Sequence, residues 1–94
     1  MSAVIDEAVK QLNEKTGGSY DGSAKFVIQD EGTIMLDHDG ARAADETSDV
    51  TLTADADTFR SILNGETNPT TAFMTGKLKV DGDMGQAMKL ASVL

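Results

Sequence analysis

The residues best equipped for chemistry lie between Met35 and Glu46, in MLDHDGARAADE. Asp37, Asp39, Gly40 and Glu46 fall at positions 3, 5, 6 and 12 of a calcium loop of the helix–loop–helix kind. Met35, however, stands at position 1 and offers no oxygen ligand. Arg42 stands where an apolar residue is usual, and strands flank the stretch instead of helices. A turn is expected here, and no metal. His38, the one histidine, lies between two aspartates, as a base oriented by a carboxylate would. It sits beside a turn with no nucleophile nearby in sequence, so it reads as a solvated side chain. One histidine without cysteine cannot build the usual zinc site. Gly76-Lys77 is followed by Leu78 where a phosphate loop needs a hydroxyl, and Gly82 to Gly85 has the wrong spacing for a dinucleotide loop. Asp55 with Asp57, and Asp81 with Asp83, are better used as caps and turn residues. No catalytic constellation emerges, so a protein without enzyme activity is expected.

The elements that carry these residues have clear local signals. Met1 to Lys15 places Val4, Ile5, Ala8, Val9 and Leu12 on one helical stripe, with Ser2 as a cap and Gly17-Gly18 as the stop. Ala24 to Asp30 and Thr33 to Asp37 alternate as strands, joined by a turn at Glu31-Gly32. Asp39-Gly40 predicts a type I′ hairpin, in which both central residues take positive φ. Ala41 to Asp45 is then a weak edge strand, and Asp49 to Ala54 a clearer one. Asp55 caps a helix that buries Phe59, Ile62 and Leu63 and stops at Gly65. Asn68-Pro69 is an N-cap followed by proline at the first helical position. It opens a short helix, Thr70 to Thr75, which Gly76 ends. Lys77 to Asp81 alternates as a last strand with Leu78 and Val80 on one face. Asp83 caps a final helix whose apolar residues are Met84, Ala87, Met88, Leu90, Ala91 and Leu94. Four strands joined by short turns do not form a doubly wound parallel sheet. They fit an α+β layer, with helices covering one face of a mostly antiparallel sheet.

Composition narrows the function. Ninety-four residues make one domain, residues 1–94. Sixteen acidic against eight basic residues give a net charge of −8, which disfavours nucleic acid and anionic bilayers as partners. Three Phe, one Tyr and no Trp offer little for base stacking. No run approaches the ~18 apolar residues of a membrane span, so stable membrane insertion is not expected. The absence of cysteine fits a reducing interior. The opening MSAVIDEAVK is neither a secretory signal nor a basic transit peptide, and a cytoplasmic protein is expected.

The pattern Gly65, Pro69, Ala72-Phe73-Met74, Gly76-Lys77-Leu78, Val80, Gly82-Asp83-Met84, Ala87, Lys89-Leu90 resembles the sterol carrier protein type-two family. The match is dense from Asp49 to Leu94 and looser before it. The resemblance implies a five-stranded sheet and an apolar tunnel between sheet and helices. The lining it implies here includes Phe26, Ile28, Phe59, Phe73, Met74, Leu78, Val80, Met84 and Met88. It implies non-enzymatic lipid binding or transfer, with a sterol, fatty acid, acyl-CoA or isoprenoid as the hydrophobic partner and no cofactor. Where relatives often carry tryptophan, this chain has Thr33-Ile34-Met35, which leaves the lipid open. The Ala91-Ser92-Val93-Leu94 end departs from the Ser-Lys-Leu address of eukaryotic relatives.

Two other readings stand beside the carrier. One is an accessory module that presents a lipid intermediate to a partner enzyme. The other is an interaction domain with a filled core, since methionines more often fill gaps than line sites. A rigid, dry cavity of ~400 Å³ would cost ~10 kcal/mol at ~24 cal/mol per Å³, close to the whole stability of a small domain. An empty tunnel is therefore expected to be filled by lipid, or closed by inward movement of the last helix.

Overall fold

The computed structural model describes residues 3–94. The first four strands are β1 (Ala24–Ile28), β2 (Gly32–Asp37), β3 (Gly40–Ala43) and β4 (Val50–Ala54), and β1 and β4 alternate strictly between buried and half-buried residues. A fifth strand, β5 (Lys79–Gly82), completes one sheet in the order β3-β2-β1-β4-β5. Only β1 and β4 pair in parallel, with Phe26 opposite Leu52; the other three pairings are antiparallel. The helices are α1 (Ala3–Thr16), α2 (Ala56–Leu63), α3 (Pro69–Met74) and α4 (Met84–Val93). The architecture is thus the α+β layer predicted, with β3 at an edge. The expected Ser2 cap lies outside the described residues.

One face of the sheet carries Ala24, Phe26, Ile28, Ile34, Leu36, Val50, Leu52 and Ala54, all buried. Against it pack Ile5, Ala8 and Leu12 of α1, Phe59, Ile62 and Leu63 of α2, Ala72 of α3, and Ala87 and Leu90 of α4. Phe26 and Phe59 meet with ring centroids 5.2 Å apart, in a tilted arrangement.

The strand order imposes a crossing that local sequence does not announce. The chain leaves β3, passes β2 and β1, and enters β4 on the far side. Residues 44–49 make this passage over the outer face of the sheet. Asp45 pairs there with Lys25 at 3.0 Å and Glu46 with Arg42 at 3.0 Å. Lys25, Met35 and Arg42 are cross-strand neighbours on that face, and Met35 between them is only 1% exposed. Met35 is therefore buried, but away from the main core.

The β2–β3 hairpin corrects the turn expected there. Asp37 pairs with Gly40, leaving His38 and Asp39 as the loop. Gly40 has φ +90°, but among described non-glycine residues Asp30 alone has positive φ, so Asp39-Gly40 is not the centre of a type I′ turn. A long-range contact explains Gly40 instead. The Asn13 side chain donates to Ala41 O at 3.1 Å and accepts from Ala41 N at 2.8 Å, satisfying the outward peptide groups of an edge strand. A Cβ on Gly40 would stand 2.6 Å from Asn13 Oδ1 and 2.8 Å from Gly18 O. Gly40→Ala is expected to destabilise the fold by about 1–3 kcal/mol, read as a lower urea midpoint with an unchanged m-value.

Candidate apolar groove

The site is built by α3, β5 and α4. Asn68 Oδ1 accepts from Thr70 N at 2.8 Å and Thr71 N at 3.4 Å, with Pro69 at the first position of α3. Gly65 and Gly76, on either side of this helix, have φ +80°, as stop residues in the left-handed conformation do. After the helix, Lys77 N and Leu78 N both donate to Ala72 O, at 2.9 and 3.0 Å. This reversal buries Leu78 and starts β5, where Val80 lies opposite Leu52. Asp83 then caps α4 by accepting from Gln86 N at 3.2 Å.

Three faces of α4 do different work. Ala87 and Leu90 enter the core. Gln86 and Lys89 tie the helix to the loop before β1. Gln86 Oε1 accepts from Ser23 N at 3.2 Å, and its Nε2 donates to Asp49 Oδ2 at 2.7 Å. Lys89 donates to the Asp21 carbonyl, pairs with its carboxylate at 3.2 Å, and lies 5.3 Å from the centre of the buried Tyr20 ring. Burial, and then the Asp21 charge, raise the Tyr20 pKa. Met84, Met88 and Ala91 form the third face, and they look into a groove.

That groove has a volume of about 280 Å³ and is open to solvent. Its walls are Leu52, Leu78 and Val80 from the sheet side, Pro69, Thr70, Phe73 and Met74 from α3, and Met84, Ala87, Met88, Ala91 and Leu94 from the α4 end. No charged side chain lines it. The four large apolar side chains most exposed among the described residues all belong to it: Met74 at 80%, Met88 at 74%, Met84 at 48% and Phe73 at 42%. Large exposed apolar residues gathered in one concavity are unusual for a surface without a partner.

Of the residues expected to line a tunnel, Phe73, Met74, Leu78, Val80, Met84 and Met88 come together here. Phe26 and Ile28 lie in the solid core, each 1% exposed. Phe59 borders only a smaller hollow of about 140 Å³ between α1 and α2. The enclosed tunnel is not seen. Phe26, Ile28, Phe59, Ile62 and Leu90 fill the space between sheet and helices, so the apolar void is displaced to one end of the sheet and left open. Leu52, Pro69, Thr70, Ala87, Ala91 and Leu94 were not anticipated as walls. The α4 spacing 84, 87, 88, 91 is a helical stripe that could have revealed two of them; Leu52 depends on strand register.

The remaining titratable groups with displaced pKa lie away from the groove. The Arg42 guanidinium, 2.9 Å away, and the Asp39 backbone N–H hold the Asp37 carboxyl below its usual value. Asp55 is lowered by its hydrogen bonds from Thr58 at the cap of α2. Asp37, His38 and Asp39 bring one ligand atom each within 4.8 Å, but Asp37 is already committed to Arg42. A lowered folded pKa contributes stability that is complete above the unfolded value of ~3.9 and is lost as pH falls through the folded value. Acid titration by NMR should place the Asp37 midpoint below the ordinary aspartate value of ~3.9, and Arg42→Ala should raise it.

A mixed sheet with helices on one face and a groove free of charged side chains between its last strand and helices defines a small α+β domain with apolar space open to solvent. The chain belongs to the SCP-2 sterol transfer family, whose profile matches residues 4–94. It is 38% identical over 93 residues to hydroxysteroid dehydrogenase-like protein 2 of Xenopus laevis, covering 90% of this chain and 22% of that protein. It is 34% identical over 100 residues to sterol carrier protein 2 of Homo sapiens, covering 95% of this chain and 17% of that protein. The chain thus spans about a fifth of the length of these curated relatives. In fold it is similar to the sterol carrier protein 2 of Aedes aegypti solved in complex with palmitate. The TM-score is 0.79 at 20% identity, covering 98% of this chain and 94% of that one. Among the described residues, no helix is long and apolar enough to cross a membrane.

Proposed function

We propose that the chain is a single lipid-binding domain that carries one apolar molecule in the groove between α3, β5 and α4, without chemical change to it. The observation that carries this reading is the groove itself: about 280 Å³, free of charged side chains, with Phe73, Met74, Met84 and Met88 exposed around it. Covering these side chains supplies the driving force, since each buried CH₂ contributes ~0.8 kcal/mol. Family membership and the palmitate bound by the Aedes aegypti protein support the same reading. Sterol, fatty acyl and isoprenoid chains all meet the chemical requirement. The open groove also favours a carrier over an interaction domain with a filled core. A cytoplasmic setting is part of the proposal, and the cysteine-free sequence is compatible with it.

With Thr70 the one polar side chain in the walls, the groove recognises the chain of the cargo and leaves its head in water. Affinity should therefore rise about fourfold per CH₂ through a series of C8 to C14 compounds, until the groove is full. Alcohol and carboxylate of equal length should bind within a few-fold of each other. Isothermal titration of both series tests this, alongside native mass spectrometry and extraction of the freshly purified protein. Affinity independent of chain length, with no lipid released on extraction, would reject the carrier.

One observation favours a second role. The matched region makes up 22% of a relative whose name denotes a dehydrogenase-like protein, so the domain is compatible with presenting cargo to a partner enzyme. An enzyme recovered by crosslinking through α3 or α4 only when cargo is bound would select this role over free transport.

A further inference from the structure

We propose that the groove is also a methionine-oxidation site, through which peroxide switches cargo binding off. The inference rests on the cargo reading above and adds a means of control to it. Sulfur chemistry in this chain falls wholly on thioethers, because it has five methionines and no cysteine. The structure divides the described methionines sharply. Met74, Met84 and Met88 line the groove at 80%, 48% and 74% exposure, whereas Met35 is 1% exposed on the opposite face of the sheet. Oxidation of a thioether follows access to the sulfur, so a small oxidant reaches the groove methionines first.

The step is balanced with hydrogen peroxide as the oxidant. A sulfur lone pair attacks one peroxide oxygen, the O–O bond breaks, and an S–O bond forms. The proton on the attacked oxygen passes to the second oxygen, which leaves as water, and sulfur is oxidised by two electrons. A methionine sulfoxide reductase drawing on a dithiol reverses the change.

The product alters the wall in kind. A flexible apolar side chain becomes a polar one with a strong acceptor oxygen. With water in the groove that oxygen is solvated. Under an apolar cargo it loses its water, and the Thr70 hydroxyl is the one side-chain donor in the walls. Burying unpartnered polar groups opposes binding, and three of them act together on α3 and α4. Thioether and leucine both suit an apolar wall, so the sensitivity lies in the sulfur and not in the shape. Binding and oxidation are also reciprocal: cargo over the groove shields the sulfur atoms.

The test treats the purified full chain with hydrogen peroxide and locates sulfoxides by peptide mass spectrometry. Binding of palmitate and of 1-anilinonaphthalene-8-sulfonate, an anionic dye whose aromatic rings bind apolar surface, is measured before and after. The expected result is conversion of Met74, Met84 and Met88 ahead of Met35, with affinity for both probes falling at least tenfold. Methionine sulfoxide reductases with dithiothreitol should restore it. In the triple variant Met74→Leu, Met84→Leu, Met88→Leu, the affinity for each probe, whatever its starting value, should be unchanged by peroxide. Binding within twofold of the untreated protein when all three sulfoxides are present would overturn the proposal, as would equal loss in the leucine variant. If that variant does not fold or binds neither probe, reductase rescue of the native chain decides. Dye binding without palmitate binding in the untreated protein sinks the cargo reading alone, and the dye then judges the oxidation. Failure to bind either probe removes the groove and both proposals with it.

Discussion

Phe26→Ala is expected to destabilise the protein by about 3–5 kcal/mol, whereas Phe73→Ala should cost less than ~1 kcal/mol. Phe26 is 1% exposed and its ring meets that of Phe59; removing it opens a void among side chains that cannot all move in. A small domain has a stability near the low end of ~5–15 kcal/mol, so this variant should be largely unfolded at moderate temperature. Phe73 is 42% exposed on a groove wall, and its loss is expected to remove contact with the proposed cargo instead. Phe73→Ala should weaken lipid binding by roughly tenfold, as expected for ~1.5 kcal/mol of lost apolar burial. Urea denaturation and lipid titration on the two variants separate packing from lining. Equal effects of both variants on stability would mean that Phe73 is packed in solution.

Ala91→Trp should abolish most cargo binding, at least tenfold, while leaving the fold intact. Ala91 is a half-buried wall residue on the groove face of α4, and an indole there would occupy much of a 280 Å³ space. It would also cover the apolar surface of Phe73 and the methionines, so the melting temperature should hold or rise. The chain has no tryptophan of its own, so the new fluorophore reports its own environment. Blue-shifted emission with binding lost is the expected pair of results. Blue-shifted emission with binding intact would place the cargo elsewhere.

Much of the fold could be read from the sequence because its signals are local. Asp55, Asn68-Pro69 and Asp83 open helices as side-chain acceptors for N–H groups two or three residues on. Gly65 and Gly76 close them within a single turn. The β1 and β4 strands show their faces through strict alternation. What escaped was decided by contacts distant in sequence. Gly40 looked like half of a type I′ pair, but its place is set by Asn13, brought to Ala41 by the packing of α1. The crossing over Met35 follows from strand order, to which alternation is blind. Phe26 and Phe73 are both aromatic residues in apolar patterns, and nothing local says that one is enclosed while the other stands at an opening. Inward movement of the last helix over an empty tunnel was expected, and nothing local shows what ties that helix down. Gln86 and Lys89, which tether it to Asp21, Ser23 and Asp49, have partners 37 to 68 residues away.

Every wall of the groove comes from residues 52–94, while α1 and the β1–β3 meander face elsewhere. The same stretch also supplies much of the core: Leu52, Leu78 and Ala87 are both groove walls and core residues, and Phe59, Ile62, Ala72 and Leu90 come from it too. The part of the groove that can vary without rebuilding the platform is therefore narrower than the stretch itself. Phe73, Met74, Met84 and Met88 line the groove and lie outside the core, so substitutions at these four positions would let ligand preference diverge while the fold persists.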